Sequence, residues 1–99
     1  MSLESTTQKV ADKATSVEAI DATVKFITDQ GVIFVDGSGD ANQVTNDDKE
    51  ADLDVDVKLD LFNQMLDGEV NPMAAVMNNE MTLDGDMAIA MKLTELFSE

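Results

Sequence analysis

Ala51-Asp-Leu-Asp-Val-Asp-Val-Lys-Leu59 alternates without a break. Leu53, Val55, Val57 and Leu59 point to one side of an extended chain, and Asp52, Asp54, Asp56 and Lys58 to the other. A period of two with one apolar face describes a half-buried strand, expected to be antiparallel with its acidic face in water. Three aspartates on that face also discourage edge-to-edge pairing. Directly afterwards the period becomes helical. Leu61, Phe62, Met65 and Leu66 share one side, and Gly68 is a natural stop. A strand running straight into an amphipathic helix sets the class as α+β.

Working outward, Asn71-Pro72 opens a second short helix, with asparagine as cap and proline in the first turn. Met73, Val76 and Met77 form its apolar face, and Asn78-Asn79 end it. Glu80-Met-Thr-Leu83 returns to alternation and buries Met81 and Leu83. Asp84-Gly85-Asp86 turns the chain, and Asp86 caps a final helix to about Phe97. In that helix only Ala88, Lys92 and Glu95 share a solvent-facing sector. Met87 and Met91 lie to one side, with Ile89, Ala90, Leu93, Leu96 and Phe97 on another, so covering is expected on more than one side. Towards the N-terminus, Thr23–Thr28 and Val32–Val35 are β-branched and aromatic around the turn Asp29-Gln-Gly31, which predicts a hairpin. The unbroken apolar run Val32–Val35 predicts a strand covered on both faces. A short strand is expected around residues 43–45, a solvated acidic connection over 46–50, and a weak amphipathic helix over 3–16 with Val10, Ala11 and Ala14 inward.

Ninety-nine residues suffice for one domain, burying roughly 65% of the unfolded surface. The chain has no cysteine and no histidine, which removes thiol and Ser-His nucleophiles, thiolate metal sites and the commonest general base. An enzyme is not expected. The net charge of −15, from 21 acidic residues against six lysines and no arginine, disfavours nucleic acid and anionic lipid surfaces. It suits a solvated monomer, a basic protein partner or a saline habitat. Met1-Ser-Leu-Glu-Ser-Thr6 lacks the order of a signal peptide, and no apolar run could span a bilayer, so a cytoplasmic protein is expected.

Asp36, Ser38, Asp40 and Asn42 alternate like the first ligands of a calcium loop, with Asp47 at the twelfth place. Ala41 stands where the sharp turn needs glycine, and strands flank the loop. The segment is read as a hairpin connection, with no metal and no cofactor. The methionines are the larger question, since five of the seven lie between Asp67 and Leu93. Methionine stripes at helical spacing are usually core. Here they stand beside alanines 74, 75, 88 and 90, on more apolar helix surface than a small sheet needs. Such surplus is either an interface or the wall of a pocket.

Ala51-Asp-Leu-Asp-Val-Asp-Val57, Leu61-Phe62, Gly68-Glu-Val-Asn-Pro72 and Gly85-Asp-Met-Ala-Ile-Ala-Met-Lys-Leu93, in this order and separation, resemble the sterol carrier protein type 2 family over about residues 24–97. The resemblance implies a mostly antiparallel five-stranded sheet with helices on one face enclosing an apolar tunnel, within a single domain of residues 1–99. It also implies non-catalytic binding or carriage of a fatty acid, a fatty acyl thioester or a sterol-like lipid. The matching positions that would face the tunnel are Phe62, Met65, Leu66, Val76, Met77, Met81, Met87, Ile89, Met91 and Leu93. Two departures stand out. Members that exchange lipid with membranes tend to carry basic charge near the first helix, which this acidic chain lacks. Val76-Met-Asn-Asn-Glu80 also lacks the glycine and lysine common before this strand, which would alter the tunnel's entrance. With no companion enzyme domain, the chain is expected to act alone, or to lend lipid to another protein, as a monomer or weak dimer.

Two other classes compete. A protein-interaction module would use the surplus apolar face on a partner. An acyl carrier would fit the size and acidity, but needs an Asp-Ser-Leu site that does not occur, and an all-helical bundle.

Overall fold

In a computed structural model, which describes residues 2–15 and 20–97 and gives the backbone alone for Pro72 and residues 93–97, the described residues form four helices and five strands. They are α1 (Leu3–Thr15), β1 (Thr23–Thr28), β2 (Gly31–Asp36), β3 (Gln43–Thr45), β4 (Leu53–Val57), α2 (Leu59–Leu66), α3 (Pro72–Met77), β5 (Met81–Gly85) and α4 (Met87–Phe97). The expected helix limit at Ser16 falls outside the described residues.

The sheet runs β3-β2-β1-β4-β5. β1 and β2 form the expected hairpin, with Thr28 opposite Gly31 and Asp29-Gln30 as its loop. β4 differs from expectation. It pairs with β5 antiparallel but with β1 in parallel, Val24 against Leu53 and Phe26 against Val55. The sheet is therefore mixed, and β4 lies inside it. Its aspartates do not guard an edge; β3 and β5 hold the edges. The parallel pairing has a simple cause. A parallel neighbour needs a long crossover, and the chain between β1 and β4 supplies one by building β2 and β3 first.

Register puts Val24, Phe26, Ile33, Val35, Leu53, Val55, Val57 and Met81 on one face, and all eight are buried. The helices cover that face: Val10 of α1, Phe62, Met65 and Leu66 of α2, Ala75 of α3 and Ile89 of α4 join the same core. The Phe26 and Phe62 rings stack with centroids 4.6 Å apart, a contact that adds to plain area burial. The opposite face is shielded by the acidic connection before β4. The Lys25 ammonium lies 3.1 Å from an Asp48 carboxylate oxygen, and Lys49 stands 5.8 Å from the centre of the Phe34 ring. β2 is thus covered on both sides, as its apolar run predicts, with Phe34 buried on the second face.

Local chemistry fixes the helix ends that position the rest. The Met73 N–H donates to Asn71 Oδ1 at 2.8 Å, opening α3. The Ala88 N–H donates to Asp86 Oδ1 at 2.9 Å, opening α4. α2 starts at Lys58, whose own side chain makes no capping bond. Its cap comes from elsewhere in the fold: the Leu59 N–H donates to Asp29 Oδ1 at 2.9 Å, across 30 positions from the β1–β2 turn. Asp84 and Gly85, expected in a turn, continue β5 instead, because the ladder with Leu53 and Asp54 extends to them. Gly85 has φ +132°, and a Cβ there would stand 2.3 Å from the Asp52 carbonyl oxygen, so only glycine fits.

Candidate functional site

α3 and α4 flank β5 in the chain, and both pack against it. The sequence places five methionines here, and the structure divides them. Met81 on β5 is buried, while Met73 and Met77 on α3 are 59% and 80% exposed, and Met87 and Met91 on α4 are 56% and 75% exposed. Of the six described methionines, only Met65 and Met81 are core residues. Exposed methionine at this density is uncommon on an otherwise charged surface, because each side chain leaves a long apolar stem in water.

The ten positions expected to face a tunnel fall into three groups. Phe62, Met65, Leu66, Met81 and Ile89 come together in the core beneath the helices. Val76 is half-buried at its margin. Met77, Met87 and Met91 stand in solvent. The Leu93 side chain lies outside the described residues. On α4 the observed pattern is one inward face, with Ile89 buried and Ala90 half-buried, while Met87, Ala88, Met91 and Lys92 are exposed. The second apolar side of this helix, read from sequence as needing cover, has none from the described residues of the chain.

Several residues near this region are not among the positions expected to face the tunnel. Beside α2, Leu61 and Val70 form the apolar part of a half-open groove of about 690 Å³, whose polar lining includes Lys58, Asp60, Gln64 and Glu80. Asn63 lies on the buried side of α2, and its amide nitrogen donates to Thr6 Oγ1 at 2.7 Å and to the Leu59 carbonyl at 3.0 Å. Its carbonyl oxygen has no partner among the described residues. The signal for Asn63 was available: it shares the register of Leu59, Phe62 and Leu66 on a helix, which puts an amide where the pattern asks for an apolar group.

The suspected calcium loop is a hairpin connection between β2 and β3. Asn42 is buried, accepting from the Ile20 N–H at 3.1 Å and donating to the Ala14 carbonyl at 3.0 Å, so its amide joins α1 to the sheet. Asp36 accepts from the Ser38 N–H and hydroxyl, which holds its carboxyl below the usual carboxylate range. Asp29 is lowered chiefly by the Leu59 N–H it caps. Both shifts favour charge that anchors backbone or hydroxyl donors, as structural carboxylates do. No helix among the described residues is long and apolar enough to cross a membrane.

Comparison with known proteins follows the same lines. The sequence profile of the SCP-2 sterol transfer family matches residues 3–98. No curated protein matches the sequence. Among solved structures, the fold is similar to that of palmitated SCP2L2 from Aedes aegypti, at TM-score 0.76 and 18% identity, covering 100% of this chain and 96% of that one. A crystal structure of sterol carrier protein 2 like 2 from Aedes aegypti gives TM-score 0.73 and 19% identity, covering 94% of each chain. The apo form of sterol carrier protein 2 from Yarrowia lipolytica gives 0.70 and 18%, covering 94% of this chain and 77% of that one.

Proposed function

The chain belongs to the SCP-2 sterol transfer family, and from that premise we propose that it binds a lipid without transforming it, as one unit of residues 1–99. The observation that carries this reading is the set of four exposed methionines on α3 and α4, the two helices that pack against β5, while Met81 and Ile89 in the same stretch are buried. Methionine has three rotatable bonds and a polarisable sulfur, so it conforms to apolar partners of differing shape. Met77, Met87 and Met91 are the adaptable wall of the site. Phe62, Met65, Leu66, Met81 and Ile89 are its rigid backing, with half-buried Val76 at the margin and Leu93 proposed as a further contact. The palmitated Aedes aegypti relative lends support to a single-chain ligand here, and a sterol-like one stays within the proposal.

The mechanism is desolvation. Each methylene that leaves water contributes about 0.8 kcal/mol, and the exposed thioether stems lose water at the same time. No bond need be made or broken. The absence of histidine and cysteine from the chain supports binding without catalysis. The proposal includes a cytoplasmic protein that meets its lipid in solution.

Organic-solvent extraction of the purified protein with mass spectrometry of the extract, alongside native mass spectrometry, tests the reading. One amphiphile per chain is expected, and Met87→Asp should deplete it. An empty protein that also fails to take up sterols, fatty alcohols, alkyl amines or fatty acids saturably would reject it. Concentration-dependent dimerisation, or a stoichiometric co-purifying protein, would favour the interaction module.

A further inference from the structure

The methionine surface has a charge environment of one sign. From Leu59 to Met91 the chain holds six acidic residues and no lysine. All six, Asp60, Asp67, Glu69, Glu80, Asp84 and Asp86, are exposed. Asp67 is paired with Lys9 at 3.1 Å, and Asp86 caps α4. The other four carboxylates make no hydrogen bond or ion pair among the described residues. Glu80 lies three residues after Met77 and Asp86 immediately precedes Met87, at the ends of α3 and α4, whereas Asp84 pairs with Asp54 on the sheet face turned away from the helices. The nearest bases do not offset them. Lys92, next to Met91, donates its ammonium to the Ile20 carbonyl at 3.0 Å. Lys58 lines the groove beside α2 as one cation against Asp60 and Glu80.

A lipid tail resting on these methionines brings its head group among these carboxylates. A carboxylate or phosphate head would be repelled, both locally and by the net charge of −15. An ammonium head would be attracted by the same charges. Resting on the lipid reading above, we propose that the preferred ligand of this surface is a cationic amphiphile: one alkyl chain or fused-ring body bearing a protonated amine or quaternary ammonium. This departs from palmitate, the ligand of the Aedes aegypti relative.

The experiment compares dodecyltrimethylammonium, dodecanol and dodecanoate, equal in tail and different in head, by calorimetric titration below their aggregation limits at neutral pH and low salt. The ammonium compound is expected to bind one per chain and about tenfold or more tighter than dodecanoate, with dodecanol between them. Salt should narrow the gap. The Glu80→Gln/Asp86→Asn variant, whose asparagine keeps the capping oxygen of α4, should narrow it too, whereas Glu4→Gln/Asp12→Asn on α1, which removes the same charge elsewhere, should leave it. Dodecanoate binding as tightly as the ammonium compound would overturn the inference and leave the lipid reading standing. Equal narrowing by both variants would also overturn it, because bulk charge alone would then set the preference. If none of the three binds, this inference falls, and the lipid reading falls with it when sterols also fail to bind.

Discussion

Helices α2 and α4 have similar amounts of apolar residue but different fates. On α2, Leu59, Phe62, Met65 and Leu66 are all buried, and the Phe62 ring stacks on Phe26. On α4, Ile89 is buried while Met87 and Met91 remain in water. The difference teaches what each residue type is for. Phenylalanine and leucine hold a defined shape against β1 and β4 and so fix the fold. Methionines on α3 and α4 define no shape, and the chain leaves them free to meet something else. Stability should therefore reside in the first region and binding in the second.

The largest test of that division is Phe62→Ala, which removes the stack on Phe26 and should cost about 3–5 kcal/mol in denaturant unfolding. Met77→Ala, on an 80% exposed side chain, should change stability by no more than about 0.5 kcal/mol while weakening lipid binding. If the two substitutions cost the same, the two regions are not distinct. Gly85→Ala comes next. Its Cβ would collide with the Asp52 carbonyl at a positive φ, so a loss of more than about 1 kcal/mol is expected by thermal unfolding. Asn71→Ala removes only the cap of α3 and should cost about 1 kcal/mol, with faster amide hydrogen exchange confined to that helix. An increase spread evenly over the core would show that α3 belongs to the rigid region after all.

The smallest effect is that of pH on the tertiary cap of α2. Asp29 has its carboxyl lowered from 3.8 in the folded protein. Its contribution is therefore complete above the unfolded value and disappears as pH falls through the lower folded one. Denaturation midpoints of the parent and Asp29→Ala should converge as pH drops from about 5 to about 2. A constant difference would mean that the Leu59 N–H does not depend on the Asp29 charge.

Much of the fold was legible because its signals are local. The alternation of Leu53–Val57, the Asn71 and Asp86 caps and the Gly68 stop each depend on a few neighbouring residues. The family resemblance was legible for the same reason, as several short motifs in order. What was hidden depends on distant partners. Nothing near Val24 says that it will lie beside Leu53 in parallel, and nothing near Leu59 says that its N–H will find Asp29. The site was half legible. Helical spacing put Met77 on the apolar face of α3 and set Met87 and Met91 apart from the main apolar side of α4, but whether a stripe is covered depends on how the other elements pack. The groove at Leu61 and Val70 gathers residues from separate segments, so no single stretch announces it.

The central claim is that the methionines of α3 and α4 are left in water in order to receive a lipid. Methionine-methyl NMR during titration with a single-chain amphiphile tests it most directly, because the buried Met65 and Met81 of the rigid backing should respond less than the four exposed methionines. The signals of Met73, Met77, Met87 and Met91 should shift together and saturate at one ligand per chain, with Met65 nearly unmoved. Saturable binding that leaves those four signals in place, or no saturable shift with any amphiphile, would contradict the account.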